Sequence, residues 1–240
     1  MGFADMHCHI MPGVDDGSRD IDMSRHMIDI AYSEGIDTVI LTPHYKPGHS
    51  HVSPDEIRTF ADQMMEEARE SGRDISFYPG NEVLYYTDCI DRLDQGRICT
   101  LADSRYVLVE FEPMDDIERI CTGVRALLYG GYRPVLAHIE RYAAMIGSES
   151  NWRRVADMGC LIQVNTSSVI GDFGHKAKAY TKKLLKEQAV HFVATDAHSD
   201  GWRAPYMEKC VRYLSKKCGD AYADRLVNTN VHRLIDGEIL

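Results

Sequence analysis

Short hydrophobic runs recur along this chain, and most of them end on His, Asp or Glu. Asp5-Met6-His7-Cys8-His9 is the first. Thr38-Val39-Ile40-Leu41 leads through Thr42-Pro43 to His44. Ile75–Tyr78 runs into Pro79-Gly80-Asn81-Glu82, and Tyr106–Val109 into Glu110. Pro134–Ala137 meets His138, Leu161–Val164 meets Asn165, and Val190–Ala194 meets Thr195-Asp196-Ala197-His198. Four- or five-residue apolar runs of this kind read as strands buried on both faces.

Between the strands the apolar period changes to that of a helix. Met23, Met27, Ile28, Ile30 and Ala31 lie on or near one face, with Gly35 as the stop. Ser53-Pro54-Asp55-Glu56 reads as a capping box with proline at the first helical position. Ile57, Phe60, Ala61, Met64, Met65 and Ala68 continue that helix, and such a stripe belongs to a core. Helix and loop are expected around residues 88–96. Further helices are expected from Ile117 to Gly130, from Trp152 to Met158, over the lysine-rich 176–188, and through 205–240.

Strand ends therefore fall near residues 9, 44, 82, 110, 138, 165 and 196, between 27 and 38 residues apart. That is the length of a strand plus a returning helix. The expected fold is α/β, a (β/α) barrel of seven units; an open doubly wound sheet is the alternative. No linker interrupts the pattern, so one domain over 1–240 is expected. In a parallel barrel all C-terminal strand ends meet on one face, where active sites lie. That rule gathers His7, His9, His44, Glu82, Glu110, His138, Asp196 and His198. Side chains alternate along a strand, so His7 and His9 share a face while Cys8 points away.

Composition narrows the chemistry. A formal net charge of −10 argues against a nucleic-acid surface or an anionic membrane. No apolar run approaches membrane-spanning length, and no signal peptide is visible. Seven cysteines without a CxxC pair predict reduced thiols in a cytoplasmic protein. Imidazole and carboxylate suit Zn²⁺, Mn²⁺ or Fe²⁺. With Asp16 (or Asp15) added from the following loop, nine candidate ligands predict two or three ions. Such a cluster can activate water and clamp the oxygens of an in-line displacement. It also turns the pocket positive and so attracts phosphate.

Arg141 and Arg203 follow His138 and His198 on the same face and are candidate phosphate clamps. His26, His49, His51, His175, His191 and His232 are expected to be surface or helix residues, with substrate contact as the alternative for His49 and His51. Cys99 and Arg105 have the spacing of cysteine-dependent phosphatases. Their loop has no glycine and leads into a strand, which argues against that chemistry.

These motifs resemble the PHP (polymerase and histidinol phosphatase) superfamily, and within it the bacterial manganese-dependent protein-tyrosine phosphatases of capsule and exopolysaccharide operons. His7-Cys8-His9-Ile10-Met11-Pro12-Gly13-Val14-Asp15-Asp16-Gly17 looks like the opening motif. Thr42-Pro43-His44, Gly80-Asn81-Glu82, Val109-Glu110-Phe111, Ala137 to Tyr142, and Thr195 to His198 follow in the same order. The resemblance implies a distorted (β/α)7 barrel holding three ions, Mn²⁺ first, with Zn²⁺ or Fe²⁺ as alternatives. His7, His9, Glu82 and Asp196 would hold one ion. Glu82 would bridge to a second with Glu110 and His138, and Asp16, His44 and His198 would hold the third. Arg141 and Arg203 match positions that grip phosphate.

The activity implied is phosphotyrosine hydrolysis, with the tyrosine-rich tail of a bacterial tyrosine kinase as partner. A small-molecule phosphatase, such as one for histidinol phosphate, and a non-catalytic metal-stabilised module are the alternatives. Tyr45 to His49 and Asp200-Gly201-Trp202 depart from the family pattern, and both loops border the substrate mouth.

Overall fold

The computed structural model describes residues 2–46, 48, 52–148 and 150–240. His49 and His51 lie outside the described residues. Among those described, nine short strands are paired in parallel throughout. They are β1 (Phe3–Cys8), β2 (Ile36–Leu41), β3 (His44–Tyr45), β4 (Ser76–Tyr78), β5 (Glu82–Leu84), β6 (Tyr106–Glu110), β7 (Arg133–Leu136), β8 (Leu161–Asn165) and β9 (Phe192–Ala194). One sheet runs β1-β2-β4 and the other β3-β5-β6-β7-β8-β9. Together they curl until the start meets the finish: Asp196 N–H donates to His7 O and His9 N–H to Ala197 O, both at 2.9 Å. An open doubly wound sheet would leave those two edges apart.

Two expected strands, Thr38–Leu41 and Ile75–Tyr78, are each followed past a proline by a short further strand. β2 stops before Thr42-Pro43, because Pro43 has no N–H to continue the ladder. Its carbonyl instead accepts from Glu82 N–H at 3.2 Å and from Asn81 Nδ2 at 2.9 Å. β4 likewise ends at Pro79-Gly80, and β5 resumes at Glu82. A Cβ on Gly80 would stand 3.0 Å from Leu41 O, so this corner brings two backbones close together.

The helices are α1 (Ile21–Ser33), α2 (Pro54–Glu70), α3 (Cys89–Asp94), α4 (Ile117–Tyr129), α5 (Ala143–Ile146), α6 (Asn151–Asp157), α7 (Thr166–Ile170), α8 (His175–Lys186), α9 (Glu208–Cys218), α10 (Asp220–Asp224) and α11 (Asn230–Ile235). Both bonds of the Ser53/Glu56 capping box are present, and Ile57, Phe60, Ala61, Met64 and Ala68 are buried. No helix among the described residues is long and apolar enough to cross a membrane.

Strand alternation divides the core in two. Val107, Val109, Leu136, Ile162, Val164 and Val193 face outward, towards the helices. Tyr106, Leu108, Val135, Leu161, Phe192 and Ala194 face inward and pack on Val231 and Leu234 of α11, which form a floor. On the same inward faces Leu108 is followed by Glu110, Leu161 by Gln163 and Asn165, and Ala194 by Asp196. The interior thus changes from apolar to polar along the strands, and that change places the site.

His191 departs from the expectation of a surface or helix residue. It is built into the β8–β9 edge, where Nδ1 accepts Ile162 N–H at 3.1 Å and burial lowers its pKa.

Candidate metal centre

β1 carries one residue more than its partner between Asp5 and Cys8, which pair with Val39 and Leu41. This bulge re-aims the strand end. Cys8 joins the outer core, and the Nε2 atoms of His7 and His9 converge to 3.1 Å. Glu82 Oε2 stands 3.1 Å from His7 Nε2 and 3.2 Å from His9 Nε2. Asp196 Oδ1 stands 3.5 and 3.6 Å from the same two nitrogens. Atoms bound about 2.0–2.3 Å from one ion lie roughly 3–3.7 Å from each other. These four donor atoms already have that spacing.

Glu82 also reaches the second cluster. Its Oε2 is 3.1 Å from His44 Nδ1 and its Oε1 is 2.7 Å from His138 Nε2. Glu110 Oε1 approaches His44 Nδ1 at 3.1 Å, and Glu110 Oε2 approaches His138 at 3.9 Å. Asp16 Oδ1 lies 3.3 Å from His44 Nε2 and 3.5 Å from His198 Nε2. All nine expected side chains therefore meet at one end of the curled sheet. Donor atoms in mutual reach fall into His7/His9/Glu82/Asp196, His9/His44/His198 and His44/Glu82/Glu110, so only the first expected set recurs unchanged. His44 stands between two groups, Nδ1 towards Glu82 and Glu110, Nε2 towards Asp16.

His44 Nδ1, Glu82 Oε2 and Glu110 Oε1 are buried without a hydrogen-bond partner among the described residues. Buried polar atoms are normally satisfied. Three bare donor atoms in mutual reach, all nitrogen or carboxylate oxygen, fit divalent cations that accept N/O ligands. His138 (φ 32°) and Asp196 (φ 52°) are held in left-handed backbone, a strained conformation for such residues that clusters at functional sites.

The charges are tightly coupled. Burial pushes the His9 pKa down, but Asp15 and Glu82 outweigh it and hold it at about 9. For His44 the same contest, won by Glu82, Asp16 and Glu110, gives about 11. His198 falls to about 4 through burial and the neighbouring His9 charge. Asp16 drops well below the carboxylate range through its contacts with His198 and His44.

Both expected arginines converge on Asp196 Oδ2, Arg141 Nη2 at 2.6 Å and Arg203 Nη2 at 3.0 Å. They face a cavity of about 490 Å³, within the usual range for ligand pockets.

Asp15, the alternative to Asp16 in the sequence, sits behind the ligands, and Gln163 and Asn165 are positioning residues that the sequence did not single out for the site. Asp15 takes His9 Nδ1 and the His44 N–H, which leaves Asp16 to the other histidines. Gln163 Oε1 accepts His138 N–H at 2.6 Å, and Asn165 Nδ2 donates to Asp196 Oδ2 at 2.8 Å. Alternation along β8 puts both amides on the inward face, a signal present in the sequence.

Residues 3–236 match the family described as capsular polysaccharide synthesis, CpsB/CapC. The chain belongs to that family. It is 34% identical to the tyrosine-protein phosphatase CpsB of Streptococcus pneumoniae, over 98% of this chain and 99% of that one. Its fold superposes, with TM-score 0.91 and 30% identity, on a solved structure of the metal-dependent tyrosine phosphatases YwqE from Bacillus subtilis and CpsB from Streptococcus pneumoniae, covering 98% and 95% of the two chains. Histidinol phosphate phosphatase from Lactococcus lactis, solved with zinc, L-histidinol and phosphate, shares the fold at TM-score 0.59 and 16% identity, covering 91% and 94%.

In this CpsB/CapC member the cysteine alternative falls away. Cys99 is buried, and burial pushes its thiol up to about 12, so it supplies no thiolate at neutral pH.

Proposed function

We propose that this chain is a metal-dependent protein-tyrosine phosphatase of capsule or exopolysaccharide synthesis. Its substrate in this reading is the tyrosine-rich tail of a bacterial tyrosine kinase in the cytoplasm. One observation carries the reading: seven N/O donor side chains in mutual reach, with Asp16 and His138 against them, converge beside two arginines that share one carboxylate oxygen and line a cavity.

The ligand sets follow the resemblance, with three ions, Mn²⁺ first. His7, His9, Glu82 and Asp196 would hold one. Glu82, Glu110 and His138 would hold a second, and Asp16, His44 and His198 a third. When bound, the ions supply Lewis acidity and a water nucleophile at neutral pH. Arg141 and Arg203 bind the phosphoryl oxygens and neutralise charge that grows in the transition state. Asp196 holds both guanidinium groups ready, and Asn165 fixes Asp196. Asp15 orients the His9 ring, and Gln163 holds the main chain of His138. The phenolate leaves without a dedicated general acid. The scaffold is one catalytic domain over residues 1–240, a distorted (β/α)7 barrel if β2 with β3 and β4 with β5 each count as one strand.

Phosphate release from a phosphotyrosine peptide, before and after EDTA and on return of Mn²⁺, tests the reading. Turnover that survives complete chelation sinks it. Metal content of the purified protein by elemental analysis tests the ion count.

A further inference from the structure

Eight large apolar side chains are exposed among the described residues, and three of them, Phe173, Trp202 and Tyr206, line the cavity beside Arg141 and Arg203. We propose that Phe173, Trp202 and Tyr206 form a ring-binding wall that selects aromatic over alkyl phosphate monoesters. The inference rests on the phosphatase reading and names the residues that set its specificity.

The wall and the phosphate grip are one structure. The Arg141 guanidinium lies 4.7 Å from the Phe173 ring centroid while its Nη2 holds Asp196. Phe173, Arg141 and Arg203 line the same cavity, so a phosphate gripped by the arginines has the Phe173 ring beside it. Trp202, 76% exposed, stands at the tip of a loop whose neck is tied: His198 N–H donates to Arg203 O at 2.8 Å, and Arg203 N–H to Ser199 Oγ at 3.0 Å. The loop that presents the indole is thus anchored to a candidate metal ligand at one end and a phosphate clamp at the other. Phe173 follows α7, which starts directly after Asn165, the residue that fixes Asp196. An aromatic ring laid against this wall gains stacking contacts at little entropic cost. An alkyl phosphate has no ring to place there, and a phosphoserine stands one methylene from its main chain.

The metal-loaded protein is assayed on phenyl phosphate and glycerol 2-phosphate, alongside Trp202→Ala, Phe173→Ala and Tyr129→Ala. Tyr129, exposed on α4 and outside the cavity, is the control. In the two wall variants KM for phenyl phosphate rises, kcat holds, and the phenyl-over-alkyl ratio of kcat/KM falls about three- to tenfold, the worth of one aromatic contact. Tyr129→Ala leaves the ratio alone. An unchanged ratio in both wall variants overturns the proposal.

Binding is read separately. The chain has two tryptophans, and Trp152 is buried. Phenylphosphonate, which is not hydrolysed, quenches Trp202 emission saturably and methylphosphonate does not; Trp202→Phe abolishes the signal. If wild type turns over neither ester, the phosphatase reading fails, and this titration alone decides the ring site. Equal quenching by both phosphonates, or none, overturns it.

Discussion

Asp15 Oδ2 lies 2.8 Å from His9 Nδ1, and the same oxygen takes the His44 N–H at 2.9 Å. One carboxylate thereby orients two candidate ligands, while Asp16 beside it points at His44 and His198. Their substitutions should therefore differ. Asp15→Asn keeps every donor atom in place and weakens metal affinity about 10–100-fold, as loss of an orienting partner does. Asp16→Asn lowers the number of ions bound. Chelator competition and elemental analysis separate the two; identical behaviour would refute the division.

Metal and protons compete for the same rings. In the metal-free protein His9 and His44 have pKa values of about 9 and about 11, against an ordinary value of 6.5. Folded values above unfolded ones give stability that is complete below pH 6.5 and is lost as pH rises through 9 and then 11. Metal-free protein should therefore melt at progressively lower temperature across that window. Imidazole binds metal only when unprotonated, so adding Mn²⁺ at pH 7 releases protons. An indicator dye in weak buffer measures them, and binding without proton release would overturn the charge assignment.

Arg141→Lys keeps the charge and loses the planar fork. Loss of a hydrogen bond to a charged group costs roughly 1.5–3 kcal/mol, so inhibition by inorganic phosphate should weaken about tenfold or more. Arg203→Lys should behave alike, because both arginines meet the same oxygen of Asp196. Circular dichroism confirms the fold, and an unchanged inhibition constant removes the arginines from the site.

Cys99→Ser should retain full turnover, since the buried thiol stays protonated. EDTA should abolish turnover in both forms. The reverse pair of results would revive cysteine chemistry.

Much of this was legible in the chain. The strand ends could be found because inward positions run out of apolar residues just where ligands begin, as from Leu108 to Glu110. Other features were hidden for physical reasons. Short further strands follow Pro43 and Pro79, which a count of apolar runs cannot separate. The left-handed backbone at His138 and Asp196 is imposed by tertiary contacts and leaves no mark in periodicity. α7 has five residues, too few to display a helical repeat. Gln163 and Asn165 were on the right face, but a search for metal ligands passes over amides. His191 gave no sign that its ring would close a backbone gap.

The floor beneath the site has a consequence for the order of assembly. Ala4 and Met6 share the inner cluster with Val231 and Leu234. The Tyr106 hydroxyl donates to Glu238 O at 2.7 Å and accepts Leu240 N–H at 3.1 Å. Contacts this distant in sequence form late, because their loop-closure cost comes first. The chain through His198 carries every candidate ligand and most of the inner cluster, but not the Val231 and Leu234 that floor it. Support for the candidate ligands thus comes in part from side chains that lie beyond the last of them in sequence.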